Sequence, residues 1–318
     1  MALRLGTRAS PLARWQADWV AAQLRDRGVD VELTPITTTG DRNRRPLDEI
    51  GGRGVFTKEI QLALLEGRID LAVHSLKDLP TTAVPGLAVA AAPERGPAGD
   101  ALVLAAGRLL RTCPGERDSS GESSVLSRLP HAARVGTGSL RRRAQLLHLR
   151  RDLEMVDIRG NVDTRIRKLH EGACDALLLA EAGLRRLGLA EEIADAVPTA
   201  VILPAPGQGA LALEIRDDDA TTRGIVAPLD DPATLAAVRA ERAMLAALEG
   251  GCLAPIAALG RVERGRLTLV GRVISGDGAR MLETSHEAAM DEAEALGRRA
   301  ADALLAQGAG ELIHAARA

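Results

Sequence analysis

Over about its first ninety residues the chain alternates short apolar runs with helical spacings, and that alternation limits the possible folds more than any other feature. Leu3 to Leu5 reads as a strand. Ser10-Pro11 then starts a helix with proline in its first position, Leu12, Trp15, Trp19 and Leu24 follow at helical spacing, and Gly28 stops it. Val29 to Ile36 is a second strand, Thr57 to Glu66 a second helix ended by Gly67, and Ile69 to Val73 a third strand. Strands joined through helices lie parallel, because the chain needs a crossover to return to the same end of a sheet. The expectation is an α/β unit on a parallel sheet.

Residues 111–130, with Pro114, Gly115, Gly121, Pro130 and several serines between charges, read as a solvated loop. Past it the alternation resumes: strand from Ala133 to Val135, helix from Ser139 to Arg150, strand from Glu154 to Ile158, helix from Asn161 to Glu171, strand from Ala176 to Leu179. That makes a second α/β unit. From Pro232 a helix runs through Glu249 and ends at Gly250-Gly251. Two strands, Ile256 to Glu263 and Leu267 to Ser275, flank a hairpin turn at Arg264-Gly265-Arg266, and a helix from Ala289 to Ala306 closes a small α+β unit.

Composition excludes several classes of function. The formal net charge is only -2, so there is no overall basic field for nucleic acid. Trp15, Trp19 and Phe56 are the only aromatic residues, which leaves nothing on which to stack bases. Cys113, Cys174 and Cys252 are odd in number and lack CxxC spacing, so neither a disulfide framework nor a metal site is expected. No run approaches the roughly 18 apolar residues of a membrane helix, and the N-terminus has no apolar signal core. The reading is a cytoplasmic protein without nucleic-acid, membrane or metal partners.

The polar clusters fall where such sheets bind ligands, beyond the carboxyl ends of strands where helix N-termini point. Arg8 and Ser10 follow the first strand, and His74, Ser75, Lys77 and Asp78 follow the third. Gly136-Thr137-Gly138-Ser139-Leu140-Arg141-Arg142-Arg143 and Arg159-Gly160-Asn161-Val162-Asp163-Thr164-Arg165 each follow a strand and open a helix. Between Ala132 and His170 ten basic residues face four acids. Guanidinium forks and helix N-termini suit a ligand with several negative charges. Taken alone, the arginine triplet also fits a solvated helix face, and Asp78 before Leu79-Pro80 also fits a turn acid. His74 reads as a hydrogen-bonded histidine near the core, Cys174 as strand-edge packing. Cys252 follows a helix C-terminus, which gives its thiol no electrostatic activation.

These motifs, together with Thr7-Arg8-Ala9-Ser10-Pro11-Leu12-Ala13, Val73-His74-Ser75-Leu76-Lys77-Asp78-Leu79-Pro80, Pro206-Gly207-Gln208-Gly209-Ala210 and Glu249-Gly250-Gly251-Cys252, resemble the porphobilinogen deaminase family over nearly the whole chain. The resemblance implies two α/β domains like type II periplasmic binding proteins with a cleft between them, plus a smaller α+β domain that carries the cofactor cysteine. It divides the chain into 1–95 with 208–228, 99–203 and 231–318. It implies a monomeric transferase of tetrapyrrole biosynthesis that condenses four porphobilinogens, with loss of ammonia through an azafulvene, and releases linear hydroxymethylbilane by hydrolysis. Cys252 would hold one covalent dipyrromethane cofactor, and the pyrrole chain would grow to six rings. Ser75, Lys77, Asp78, Ser139, Arg141, Arg142 and Gly160 would bind that cofactor, with Asp78 catalytic. Arg8, Ser10, Arg53, Phe56, Arg159, Arg165, Arg186 and Gln208 would bind substrate and pyrrole-chain intermediates. Glu49 and Arg53 stand where relatives place lysine, and Gly138 where they place serine. A non-catalytic small-anion binding protein is the alternative for the same two-domain cleft.

Overall fold

A computed structural model of the chain describes residues 2–38, 57–105, 126, 129–250 and 254–316. The first sheet holds β1 (Leu3–Thr7), β2 (Val31–Pro35), β3 (Leu71–Ser75), β4 (Leu87–Ala91) and β10 (Leu211–Arg216), in the order β2-β1-β3-β10-β4. β1 is parallel to both β2 and β3, as the helical connections α1 (Pro11–Arg25) and α2 (Lys58–Leu65) require. Ser10 caps α1 by accepting from the Ala13 amide, and Pro11 occupies a first-turn position where no N–H is needed. The helix buries Ala17, Val20, Ala21 and Leu24 against Leu5, Leu71 and Leu213 of the sheet.

The second sheet repeats this plan. β5 (Asp100–Leu104), β6 (Arg134–Gly136), β7 (Glu154–Val156), β8 (Ala176–Ala180) and β9 (Asp195–Val197) stand in the order β7-β6-β8-β5-β9, with β6 parallel to β7 and β8. Helices α3 (Leu140–Leu149), α4 (Val162–His170) and α5 (Glu181–Arg186) flank it. In neither sheet does the parallel expectation hold throughout. β10 runs antiparallel to β3 and β4, and β5 antiparallel to β8 and β9. The reason is topological: each of these strands enters its sheet from the other α/β unit, so no crossover helix forces it parallel.

The chain therefore passes between the units twice, through residues 92–99 and 198–210, and the two passages touch. The Gly96 amide donates to the Gly209 carbonyl at 3.2 Å. At Gly209, where φ is +86°, a Cβ would stand 2.6 Å from the Gly96 oxygen, so only glycine fits.

After α6 (Ala220–Val226), the third unit packs α7 (Pro232–Ala247), α8 (Ala293–Ala306) and α9 (Ala309–Ala315) on a sheet of β11 (Ile256–Glu263), β12 (Arg266–Ile274) and β13 (Met281–Ala289). The hairpin at Arg264-Gly265 is present. β13 has no counterpart in the sequence reading: Met281-Leu282-Glu283-Thr284-Ser285-His286-Glu287 is an edge strand with little apolar alternation to mark it. Its presence moves the start of the following helix to Ala293. Small residues Ala237, Ala240, Ala300 and Ala301 fill the helix contacts of the core. Among the described residues no helix is long and apolar enough to cross a membrane.

Glu241 of α7 fastens this unit to both passages. Fully buried, it accepts from Arg95 Nη1 at 2.6 Å and Nη2 at 3.1 Å, from the Gly207 amide at 2.6 Å and from the Gly260 amide at 2.7 Å. Arg95 Nε also donates to the Gln208 carbonyl at 2.9 Å. Glu241→Ala would leave a mostly buried guanidinium and two amides without their acceptor. We expect it to lower unfolding free energy by about 3–5 kcal/mol, read from urea denaturation; a loss below about 1 kcal/mol would show that the junction adds little.

Candidate functional site

The three units enclose a cleft of about 470 Å³. Its walls come from the segments that leave the carboxyl ends of β1, β3, β6 and β8, as expected for open α/β sheets. From the first unit Arg8, Ser10, Ser75, Lys77 and Asp78 line it; from the second, Ser139, Arg141, Arg142, Gly160, Arg165 and Arg186; from the second passage, Gln208. Six basic side chains thus face two carboxylates, Asp78 and Asp163. Leu245, Gly250, Ala254 and Ile256 close the third side. Cys252, Arg53 and Phe56 lie outside the described residues, as do Cys113, Glu49 and most of the loop expected at 111–130.

The arginine triplet at the start of α3 divides. Arg143 is exposed, while Arg141 and Arg142 are only 4% and 5% exposed, so the solvated-face reading fails for these two. Ser139 caps the helix beneath them through the Arg142 amide. Asp100, the first residue of β5 and fully buried, accepts from Arg141 Nη2 and Arg142 Nη2 at 2.8 Å each and from Gln208 Nε2 at 2.7 Å. Burial alone would push its carboxyl up, but the two guanidiniums hold it well below the usual carboxylate range. Two cations share this one anion, which leaves a positive charge over. The Nε atoms of both arginines are buried without a hydrogen-bond partner among the described residues. That is an arrangement suited to a further anion.

The other predicted residues surround this pair. Ser75 Oγ accepts from Gln16 Nε2 at 2.8 Å, which fixes it at the end of β3. Lys77 and the exposed Asp78 sit on a 3-10 turn, Leu76–Asp78. Burial, with Arg142 and Arg141 nearby, pushes the Lys77 ammonium down to about 8 against the opposing pull of Asp78 and Asp100. Burial and Arg142 likewise bring Arg165 to about 10, and it donates to the Gly160 carbonyl at 2.7 Å. Arg186 is lowered to about 10 by burial; it donates to the Gly209 carbonyl at 2.6 Å and lies 5.8 Å from the Trp15 ring centroid. Arg159 stands apart: it is exposed, donates to Asp157 at 2.9 Å, and is not in the cleft wall. Gln208 spends its amide on Ala98, Gly99 and Asp100, an inward role rather than one facing the cleft.

His74 is buried near the core as expected, but its Nε2, 3.0 Å from Glu214 Oε2, makes no hydrogen bond there among the described residues; Cys174 is buried in the second unit, as its surroundings in sequence suggest. Asp100 and Gln16 escaped the sequence reading. Each leaves a weak signal, an acid opening the apolar run Asp100-Ala101-Leu102-Val103 and an amide on the apolar face of α1. Among the described residues there is no cluster of three or more His, Cys, Asp or Glu placed to hold a metal ion.

Comparison with known proteins adds two matches to family models. Residues 3–224 match "Porphobilinogen deaminase, dipyromethane cofactor binding domain", and residues 235–306 match "Porphobilinogen deaminase, C-terminal domain". A curated porphobilinogen deaminase of Syntrophotalea carbinolica is 48% identical over 99% of this chain and 96% of its own length. One from Acidothermus cellulolyticus is 49% identical over 98% of this chain and 91% of its own length. Among solved structures, the methionine binding protein MetQ overlaps 72% of this chain and 89% of its own at 12% identity, with a TM-score of 0.44.

Lys77 gives the site a measurable signature. It is one of only three lysines, with Lys58 and Lys168, so acylation at each is resolved by peptide mass. Its ammonium becomes a nucleophilic amine above pH about 8 rather than about 10.4, because the cleft disfavours the charged form. In ligand-free protein its acylation rate should rise up to about pH 8 and level off above it, where a free lysine keeps rising to about pH 10. A rate that tracks free N-acetyl-lysine across that range would disprove the shift.

Proposed function

This chain belongs to the porphobilinogen deaminase family, and on that premise we propose that its cleft joins four porphobilinogens head to tail, with loss of one ammonia each, and that water then cleaves the bond to the cofactor and supplies the hydroxyl of the released hydroxymethylbilane. The observation that carries this reading is the pair of buried arginines with unpartnered Nε atoms in a cleft of net positive charge. Each porphobilinogen brings an acetate and a propionate, so a growing pyrrole chain adds two carboxylates per step. Charge-assisted forks are the groups suited to hold them.

The residues present also fit a dipyrromethane. Arg141 and Arg142, whose buried Nε atoms lack a hydrogen-bond partner among the described residues, line the cleft, and so do Gly250 and Ala254, on either side of the segment containing Cys252. We assign Cys252 as its attachment point, with Ser75, Lys77, Ser139, Arg141, Arg142 and Gly160 holding its carboxylates and backbone edge. When bound, it supplies the pyrrole carbon to which the first substrate unit is joined. To Arg8, Ser10, Arg165 and Arg186, which line the cleft, we assign the incoming carboxylates, with Arg53, Phe56 and Arg159 as further candidates. Gln208 serves them by holding Asp100.

Asp78 has a different part. As the C–N bond of the aminomethyl group breaks and ammonia leaves, the pyrrole nitrogen lone pair supplies electrons and a positive charge grows at the ring N–H. A carboxylate fixed beside that N–H stabilises the charge and can accept the ring-carbon proton that is lost after the new bond forms. The enzyme would act as a monomer in the cytoplasm, with domains divided at 1–95 with 208–228, 99–203 and 231–318.

A non-catalytic anion-binding protein with the same cleft would need no covalent group, and intact mass separates the two. The active protein should weigh more than its sequence by two porphobilinogen-derived units and give a positive Ehrlich reaction; active protein of unmodified mass would overturn the reading. Cys252→Ala should lose the added mass. Asp78→Ala should keep it, yet slow turnover by about 10²- to 10⁴-fold, and a near-normal rate would remove Asp78 from the chemistry.

A further inference from the structure

The turn bearing Lys77 and Asp78 is fixed at its two ends by different parts of the molecule. At its start the Leu76 amide donates to the Ala210 carbonyl at 3.0 Å, on the segment that re-enters the first sheet. At its exit the carbonyls of Leu79 and Pro80, the two residues directly after Asp78, accept from Arg242 Nη1 at 2.9 Å and Nη2 at 2.7 Å. Arg242 belongs to α7 of the third unit. One planar fork spread across two successive carbonyls fixes both peptide planes, and so the direction in which the chain leaves Asp78.

This is a costly use of a guanidinium. Arg242 is half-buried, and burial lowers its affinity for the proton against the opposing pull of the Glu214 carboxylate, while the partners its guanidinium bonds are neutral carbonyls. The adjacent carboxylate of Glu241 is already taken by Arg95 and two amides. The same helix sends Leu245 into the cleft and leads to Gly250, two residues before Cys252. α7 thus touches the acid's turn at one point and, past its end, leads along the chain toward the residue assigned above as cofactor anchor.

We propose that Arg242 is a positioning residue for Asp78, setting its carboxylate in register with the pyrrole tethered at Cys252. This rests on the function proposed above. Arg242→Gln removes the fork, whereas Arg242→Lys keeps a charge that serves one carbonyl well. Rates are taken per molecule of Ehrlich-titrated cofactor, so any loss of folded or loaded protein is divided out. We expect kcat to fall roughly 10- to 100-fold in Arg242→Gln, the scale of a misplaced catalytic group, with KM within about twofold and Arg242→Lys intermediate. If Arg242→Gln does not fold, Arg242→Lys carries the test.

The decisive readout is coupling. In an Asp78→Glu background, whose acid is already misplaced, the same substitution should cost less than about threefold. Equal losses in both backgrounds, or an unchanged kcat in loaded Arg242 variants, would overturn the positioning role while leaving the function intact. Wild-type protein that carries no cofactor and forms no bilane would instead sink the function, and this proposal with it.

Discussion

One buried carboxylate makes this cleft possible. Two guanidiniums side by side with almost no solvent exposure would repel each other and be poorly solvated, and Asp100 between them offsets both penalties at once. Because it is one anion against two cations, it stops short of neutralising them. The surplus charge is what a pyrrole carboxylate can meet. Gln208 ties this arrangement to the passage between the α/β units, so the geometry of the arginines and the geometry of the junction depend on the same side chain.

Around that centre the fold brings together groups that are distant along the chain. The parallel strands end together, which places Arg8, Lys77, Ser139 and Arg186 on one rim. The exchange of β5 and β10 between units makes two passages, and the close approach of Gly96 and Gly209 ties them together. Through Glu241, α7 then joins the third unit to that junction, so the segment bearing Cys252 leaves a helix already fixed to both passages. A cofactor arm attached to an undocked unit would have no defined path along the rim. Here the helix that precedes that segment is held from several sides.

Much of this was legible in the sequence, and for local reasons. Proline, serine and glycine at helix ends, together with helical spacing, marked α1 and α7 closely, because capping and periodicity act within a few residues. The site residues near strand ends could be listed from position alone. What escaped were elements and contacts without a local signature. β10 was unmarked until the family resemblance suggested a return, β13 is a polar edge strand, and Asp100 is one acid whose partners lie 41, 42 and 108 residues away. Gln208 reads as a ligand residue from its motif, yet its amide is turned inward.

The sequence by itself determined that this chain would build α/β units, that arginine-rich segments would follow their strand ends, and, through its motifs, that the family is porphobilinogen deaminase. Those properties follow from periodicity, capping and side-chain chemistry, which are written residue by residue. Tertiary structure alone decided which arginines face the cleft and which face water, since Arg142 and Arg143 are neighbours in the chain and differ only in what packs against them. It also decided that a helix of the third unit would grip the turn behind Asp78. Burial and long-range pairing depend on where the whole chain folds back, and no local pattern encodes that.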